Sequence, residues 1–299
     1  PRLRKLKLEN CAVGDNKLAA LKMLPSLEHV IILGKNNQMS PAGFEHLASH
    51  PTLETLELGG NFFDDAAIEQ IAGSKTLSSL LLTGAAVGDQ SLKALAECEN
   101  LEVLSIKQGN ITTAGLDQLA VLPLAELTLE ECPLLDDEAL RAIGRLEHLT
   151  TLKLHLDGVT DRGLASLSGL VKLETLEVYS SQITGAGLDH LDSLRNLHNL
   201  VVVGKAVSDD VFPTLHHFRT LNFLRVGGKR SPKPGITDAG LEQIGKMPSI
   251  ETISFSDAGV TKAGFKKVAD SMARLRHVWF ANCFSEESPK PQPADPPAE

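Results

Sequence analysis

The sequence predicts an α/β solenoid, a right-handed horseshoe of about twelve stacked units with a parallel β-sheet on the concave face and α-helices on the convex face. Three observations predict it. An apolar signature, Leu-x-x-Leu-x-Leu, returns every 23 to 29 residues along almost the whole chain. A second signature, Val/Ile-Thr-x-x-Gly-Leu, follows it at a steady distance. Hydrophobic residues make up 42% of the chain and aromatic ones only 4%, so the core is one side-chain shape used repeatedly. A chain of 299 residues would otherwise suggest two globular domains, but a structure that grows by stacking needs no boundary.

The strand motif begins at Leu3, Leu27, Leu53, Leu77, Leu101, Leu124, Leu149, Leu173, Leu197, Leu221, Ile250 and Leu275. Its second and third apolar residues lie two apart, as in Leu152 and Leu154. That is strand periodicity, with the residue between them on the opposite face. The second signature is clearest at Ile111–Leu116, Val159–Leu164, Ile183–Leu188, Ile236–Leu241 and Val260–Phe265. Its Thr is a helix N-cap, because the side-chain oxygen can accept an otherwise unpaired backbone N–H of the first turn. Asp161 and Asp238 then face the positive end of the helix dipole. The pairs Asp64-Asp65, Asp136-Asp137 and Asp209-Asp210 are read as caps at the equivalent position. Apolar residues follow at helical spacing, as in Leu164, Leu167 and Leu170. A single unit cannot bury its leucines, but a stack buries a continuous core.

Three residues after the last strand leucine stand Cys11, Asn61, Cys132 and Cys283. With the strand motif, these resemble the leucine-rich repeat superfamily over residues 1–284. The 24-residue period and the Thr-Asp-x-Gly-Leu helix start are similar to the bacterial, planctomycete-type repeats. Cys98, just before Leu101, is similar to the cysteine-containing repeats of F-box substrate receptors. The resemblance implies a repeat domain over residues 1–284 and a partner-binding function.

The remaining chemistry is sparse. Cys11, Cys132 and Cys283 stand in the first, sixth and twelfth units, too far apart to pair with one another at roughly 4.8 Å per strand. All four cysteines are expected to be free thiols, three of them buried and bonding loop N–H groups, which favours a reducing, cytoplasmic compartment. Export stays open, since an N-terminal signal could have preceded Pro1. His46 and His50 are spaced four apart on an expected helix, and are read with His216-His217 as a solvated face. No metal, cofactor or catalytic site is expected: Walker-type, dinucleotide-binding and Gly-x-Ser-x-Gly motifs are absent. The net charge of −9 argues against nucleic acid, and no apolar run is long enough to span a membrane.

Binding is expected on the concave face, where the residues flanking the strand leucines carry no core duty. Two groupings stand out there. Ile31, Leu33 and Leu81 form an apolar set near the start. Lys153, His155, Glu177, Tyr179, Val201, Val203, Phe223 and Arg225 form a mixed aromatic and basic set, and the chain's one Tyr and one Trp, Trp279, both fall on this face. Aromatics beside arginine are frequent interface anchors. The longest unit adds a basic insertion with Lys229 and Arg230, and the ten residues from Lys153 to Arg230 make the expected partner site. Residues 285–299 are Pro-rich and expected to be extended or disordered. Both sheet ends look uncapped, so either the chain is a fragment of a longer protein, which is the favoured reading, or the edges pair with something; if not a fragment, it is expected to be monomeric. The function expected is a non-catalytic protein-interaction scaffold. The alternative is the substrate-recognition arm of a larger enzyme, ligase or effector.

Overall fold

The computed structural model describes residues 2–283 apart from 36, 85, 205, 206, 229–234, 248, 270, 271, 273 and 282. Lys229 and Arg230 of the expected site, and the tail 285–299, lie outside the described residues. The chain divides into two compact units, residues 1–156 and 157–299.

The first unit alternates β1 (Lys5–Glu9), α1 (Asp15–Ala19), β2 (His29–Leu33), α2 (Pro41–Ala48), β3 (Thr55–Gly59), α3 (Asp65–Ala72), β4 (Ser79–Thr83), α4 (Asp89–Leu95), β5 (Val103–Lys107), α5 (Thr113–Gln118), β6 (Glu126–Glu130), α6 (Asp137–Ile143) and β7 (Thr151–His155). The second alternates α7 (Asp161–Leu164), β8 (Thr175–Tyr179), α8 (Gly185–Leu188), β9 (Asn199–Val203), α9 (Phe212–Leu215), β10 (Phe223–Gly227), α10 (Asp238–Ile244), β11 (Thr252–Ser256), α11 (Lys262–Ala269) and β12 (His277–Ala281). In each unit every strand pairs in parallel with the next, in chain order and without slippage: Leu6, Val30, Leu56 and Leu80 form one row, and Leu200, Leu224, Ile253 and Val278 another. The fold is the α/β leucine-rich repeat solenoid that the sequence predicts.

Each strand is five residues long, and its second and fourth side chains face the helices. In β7 these are Leu152 and Leu154, both fully buried, while Thr151, Lys153 and His155 between them are half-exposed. Burying each leucine contributes about 1.5–3 kcal/mol. Among the described residues β1 and β12 have no neighbouring strand on one side, and their core residues Leu6, Leu8, Val278 and Phe280 stay half-exposed. Several helices are shorter than expected. The α-turns Asp161–Leu164 and Gly185–Leu188 run directly into 3-10 turns, Ala165–Leu167 and Asp189–Leu191, so Leu167 and Leu191 still reach the core.

The caps form as expected at Thr112, Thr160, Thr184 and Thr237, each accepting a first-turn N–H, and at Asp64 and Asp136. In the ninth repeat the cap position is Ser208, so Asp209 and Asp210 stand one place later than the other acidic pairs. The acidic residue at the first helical position does more than meet the dipole. Asp161 accepts from the Thr184 backbone N–H (2.8 Å) and hydroxyl (2.6 Å) of the next repeat. Asp15 does the same at Ser40, Asp89 at Thr112, Asp209 at Thr237 and Asp238 at Thr261. The repeated glycine is explained by this contact. A Cβ at Gly43, Gly115, Gly187, Gly240 or Gly264 would overlap the carboxylate of Asp15, Asp89, Asp161, Asp209 or Asp238 respectively. Where the preceding helix begins with Pro41, Thr113 or Gly185 instead, the equivalent residue carries a side chain: Ala67, Ala139 or Val211. After Asp65 it is Ser91, whose hydroxyl donates to that carboxylate.

Two expectations need correction. His50 is not on a solvated helix face. α2 ends at Ala48, and the His50 ring is buried under the turn, with Nε2 3.3 Å from the Leu21 carbonyl. Cys11 is exposed, since no earlier repeat of the chain covers it, while Cys98 and Cys132 are buried and Cys283 is half-buried. All four are free thiols. Burial pushes the Cys98, Cys132 and Cys283 thiols up from the usual range. Cys132 bonds the Gly109 N–H as expected and also donates to the Glu130 carbonyl at 3.4 Å.

Candidate functional site on the exposed face of the strands

In each unit the first, third and fifth residues of every strand share the sheet face that the helices leave open. This face holds the residues on which the sequence places binding.

In the second unit, Glu177 and Tyr179 stand on β8, Val201 and Val203 on β9, and Phe223 and Arg225 on β10, in register. The structure brings them together, but not as an open apolar patch. The Arg225 guanidinium lies over the Tyr179 ring, 5.9 Å from its centroid. Tyr179 and Arg225 belong to the strands on either side of β9, so their contact bridges the strand between them. Val201 and Val203 are accordingly only 5% and 7% exposed, although they point away from the helices. Gly227, beside Val203, has no side chain and is itself buried, with the Ser256 backbone carbonyl against it. What faces solvent is the arginine–tyrosine pair and the half-buried Phe223 and Glu177. The Arg225 Nε is buried and has no hydrogen-bond partner among the described residues. Further along, the exposed Trp279 stacks on His277 at 5.7 Å.

In the first unit, Lys153 and His155 stand on β7. His155 Nδ1 lies 3.6 Å from a Glu130 carboxylate oxygen. Lys107 joins the same group, 3.2 Å from Glu130 and 3.4 Å from Glu131. Both contacts hold the Lys107 ammonium above its usual range. His155 therefore belongs to a local charge network of β5, β6 and β7. Such partly exposed pairs contribute little, about 0–1 kcal/mol each.

The apolar set near the start is less occluded. Ile31, Glu57 and Leu81 form one row across β2, β3 and β4, and all three are half-exposed. In the adjoining row Leu33 leans over Gly59, whose missing side chain leaves the room. Glu54, Glu102 and Glu126 stand exposed at the N-terminal ends of β3, β5 and β6, and none of them, nor Glu57, has a basic group within ion-pair distance among the described residues. Glu28 differs: it is bound by Arg4 at 2.5 Å, which holds its carboxyl below the usual range. Sequence reasoning singled out the aliphatic residues but not these carboxylates. The signal was present in the positions just before and just after the strand leucines.

Among the described residues, no group of three or more His, Cys, Asp or Glu is placed to hold a metal, and no helix is long and apolar enough to cross a membrane.

No protein-family model and no curated protein matches this sequence. Among solved structures, the chain is similar to an internalin (inlF) from Listeria monocytogenes, at 17% identity and a TM-score of 0.59, over 94% of this chain and 87% of that one. It is also similar to an internalin C2 from the same species, at 22% identity and a TM-score of 0.53, over 73% of this chain and 84% of that one. At these identities the likeness is one of architecture, and the chain has the leucine-rich repeat solenoid fold of these two internalins.

Proposed function

We propose that this protein is a non-catalytic scaffold that binds a protein partner through the exposed face of its strands. One observation carries the reading. The second and fourth residues of each strand are almost all Leu, Ile or Val and lie in the core, whereas the third runs from Lys7 through Glu57, Ser105, Lys153, Arg225 and Ser254 to Trp279. The strands of each unit thus present a chemically varied surface outside the leucine core, the arrangement a recognition surface needs. The four unpaired cysteines support a reducing compartment.

The test is capture of a partner from a lysate of the source organism, with substitutions on the two faces compared. Thr128→Arg and Ser254→Arg project from the strands, Gln90→Arg and Gln118→Arg from the helices. The reading expects a captured protein to be lost with the strand substitutions and retained with the helix substitutions. The opposite pattern rejects the strand face.

A further inference from the structure

We propose that the exposed strand face from β2 to β6 binds a polypeptide segment carrying aliphatic and basic side chains side by side. The proposal rests on the scaffold reading above and names the partner's chemistry at one part of that face. Ile31 and Leu81 flank Glu57 in one row, Leu33 lies beside them, and Glu54, Glu102 and Glu126 stand exposed at the N-terminal ends of β3, β5 and β6. Other carboxylates nearby are paired: Glu28 with Arg4, Glu9 with Lys7, and Glu130 and Glu131 with Lys107. Between β2 and β6 four carboxylates have no ion pair among the described residues: Glu102 and Glu126, and Glu54 and Glu57, which Arg4 and Lys7 reach only as more distant charges. Four like charges within five strands repel one another, and a cationic ligand relieves that repulsion. The aliphatic residues supply area that a purely ionic contact would not use.

The spacing fits one kind of segment. Ile31 and Leu81 are two strands apart, as are Glu54 and Glu102, about 10 Å at the usual strand separation. A polyproline II segment returns the same side to the sheet every three residues, about 9 Å. A peptide of period three, lying across the strands, therefore places aliphatic residues over Ile31 and Leu81 and lysines over Glu54 and Glu102.

The experiment uses the full chain and a fluorescent (Lys-Leu-Pro)3 peptide read by anisotropy, with (Lys-Ser-Pro)3 and (Glu-Leu-Pro)3 as comparisons. The Lys-Leu peptide is expected to bind at least tenfold more tightly than either, with affinity falling as salt rises. Glu54→Gln, Glu57→Gln and Glu102→Gln together should weaken it about tenfold. Glu45→Gln, Glu69→Gln and Glu97→Gln, which remove the same charge from the helix side, should change it less than twofold. Equal loss with both triple variants, equal binding of the Lys-Ser peptide, or no binding of the Lys-Leu peptide at low salt overturns the proposal. If the first triple variant still captures a lysate partner that Ser254→Arg loses, the patch is wrong and the scaffold reading stands.

Discussion

Gly187→Ala is the substitution through which the structure's account of its repeated glycine is most exposed to test. At an ordinary helical site Gly→Ala stabilises by about 0.5–1 kcal/mol, because alanine loses less backbone freedom on folding. Here the added methyl would lie 2.9 Å from Asp161 Cγ and 3.0 Å from Leu164 Cδ1, with the carboxylate oxygen closer still. The carboxylate cannot withdraw without releasing Thr184, whose N–H and hydroxyl it holds at 2.8 and 2.6 Å. Hydrogen bonds to a charged acceptor are worth about 1.5–3 kcal/mol each. Losing one and weakening the other, less the helix gain, gives a cost of about 2–4 kcal/mol for Gly187→Ala. Asp161→Ala alone, which removes both bonds, should cost about 3–6 kcal/mol. In the Asp161→Ala background the nearest remaining of these contacts is Leu164 Cδ1, a flexible chain end, so Gly187→Ala should fall within about 1 kcal/mol of neutral. The double-mutant cycle should therefore show a favourable coupling of about 2–4 kcal/mol. Urea denaturation midpoints at constant m-value read it directly. If Gly187→Ala costs the same in both backgrounds, the carboxylate is not what excludes a side chain there.

The arginine–tyrosine bridge should be structural as well as exposed. Tyr179→Ala with Arg225→Ala uncovers Val201 and Val203, and is expected to lower stability by about 1–2 kcal/mol; an unchanged denaturation midpoint would show that the bridge covers nothing. Thiol labelling should separate the cysteines. Cys11, the exposed thiol, is expected to react within the mixing time of a disulfide reagent, and the buried Cys98 and Cys132 only on unfolding. Prompt reaction of more than two thiols in the native protein would contradict their burial. The Ser40 contacts hold the Asp15 carboxyl below its ordinary value of 3.8. Because the folded value is the lower one, the stability they give is present above pH 3.8 and is lost as pH falls through the folded value. Asp15→Asn should therefore flatten the acid limb of the stability–pH curve, and an unaltered limb would assign acid sensitivity to other groups.

The strand ladder and the caps were legible because each is written within a single repeat. The spacing of Leu152 and Leu154 fixes a strand face, and Thr184 before a helical run fixes a cap. What was illegible lies between repeats. The carboxylate of Asp161 and the glycine it excludes, Gly187, are 26 residues apart, and reading one repeat at a time makes the first a dipole partner and the second a loop residue. The relation shows only when each helix start is set against the following one, where Pro41, Thr113 and Gly185 go with Ala67, Ala139 and Val211. The same blindness affected the binding face. Strand alternation puts Val201 and Val203 outside the core, but burial also depends on the side chains of β8 and β10, and the reach of Arg225 across β9 closes over both. His50 was misplaced for a different reason: α2 stops two residues short of it, and a histidine beyond a helix end turns inward to bond a carbonyl instead of extending the helix face.

The carboxylate–glycine pairs bear on what the strand face can become. A repeat of leucines alone would pack in more than one register, since a leucine row fits any neighbouring leucine row. Asp161 bonds only the cap of the following repeat, and only where that repeat offers Thr184 and leaves room at Gly187. Register is therefore specified on the helix side of the sheet by polar groups that are each satisfied. The strand residues facing away are released from that task. Glu57 can sit between Ile31 and Leu81, an arrangement that adds repulsion without adding core, because nothing about the pairing of β2, β3 and β4 depends on it. If this division holds, substitutions such as Asp89→Ala should loosen pairing of the fourth and fifth repeats and leave the affinity of a bound strand-face ligand unchanged while the fold persists. Substitutions at Glu54 or Glu57 should do the reverse. Hydrogen exchange of the β4 and β5 amides, measured beside peptide affinity, separates the two effects, and a variant that moved both together would show that the two faces are not independent.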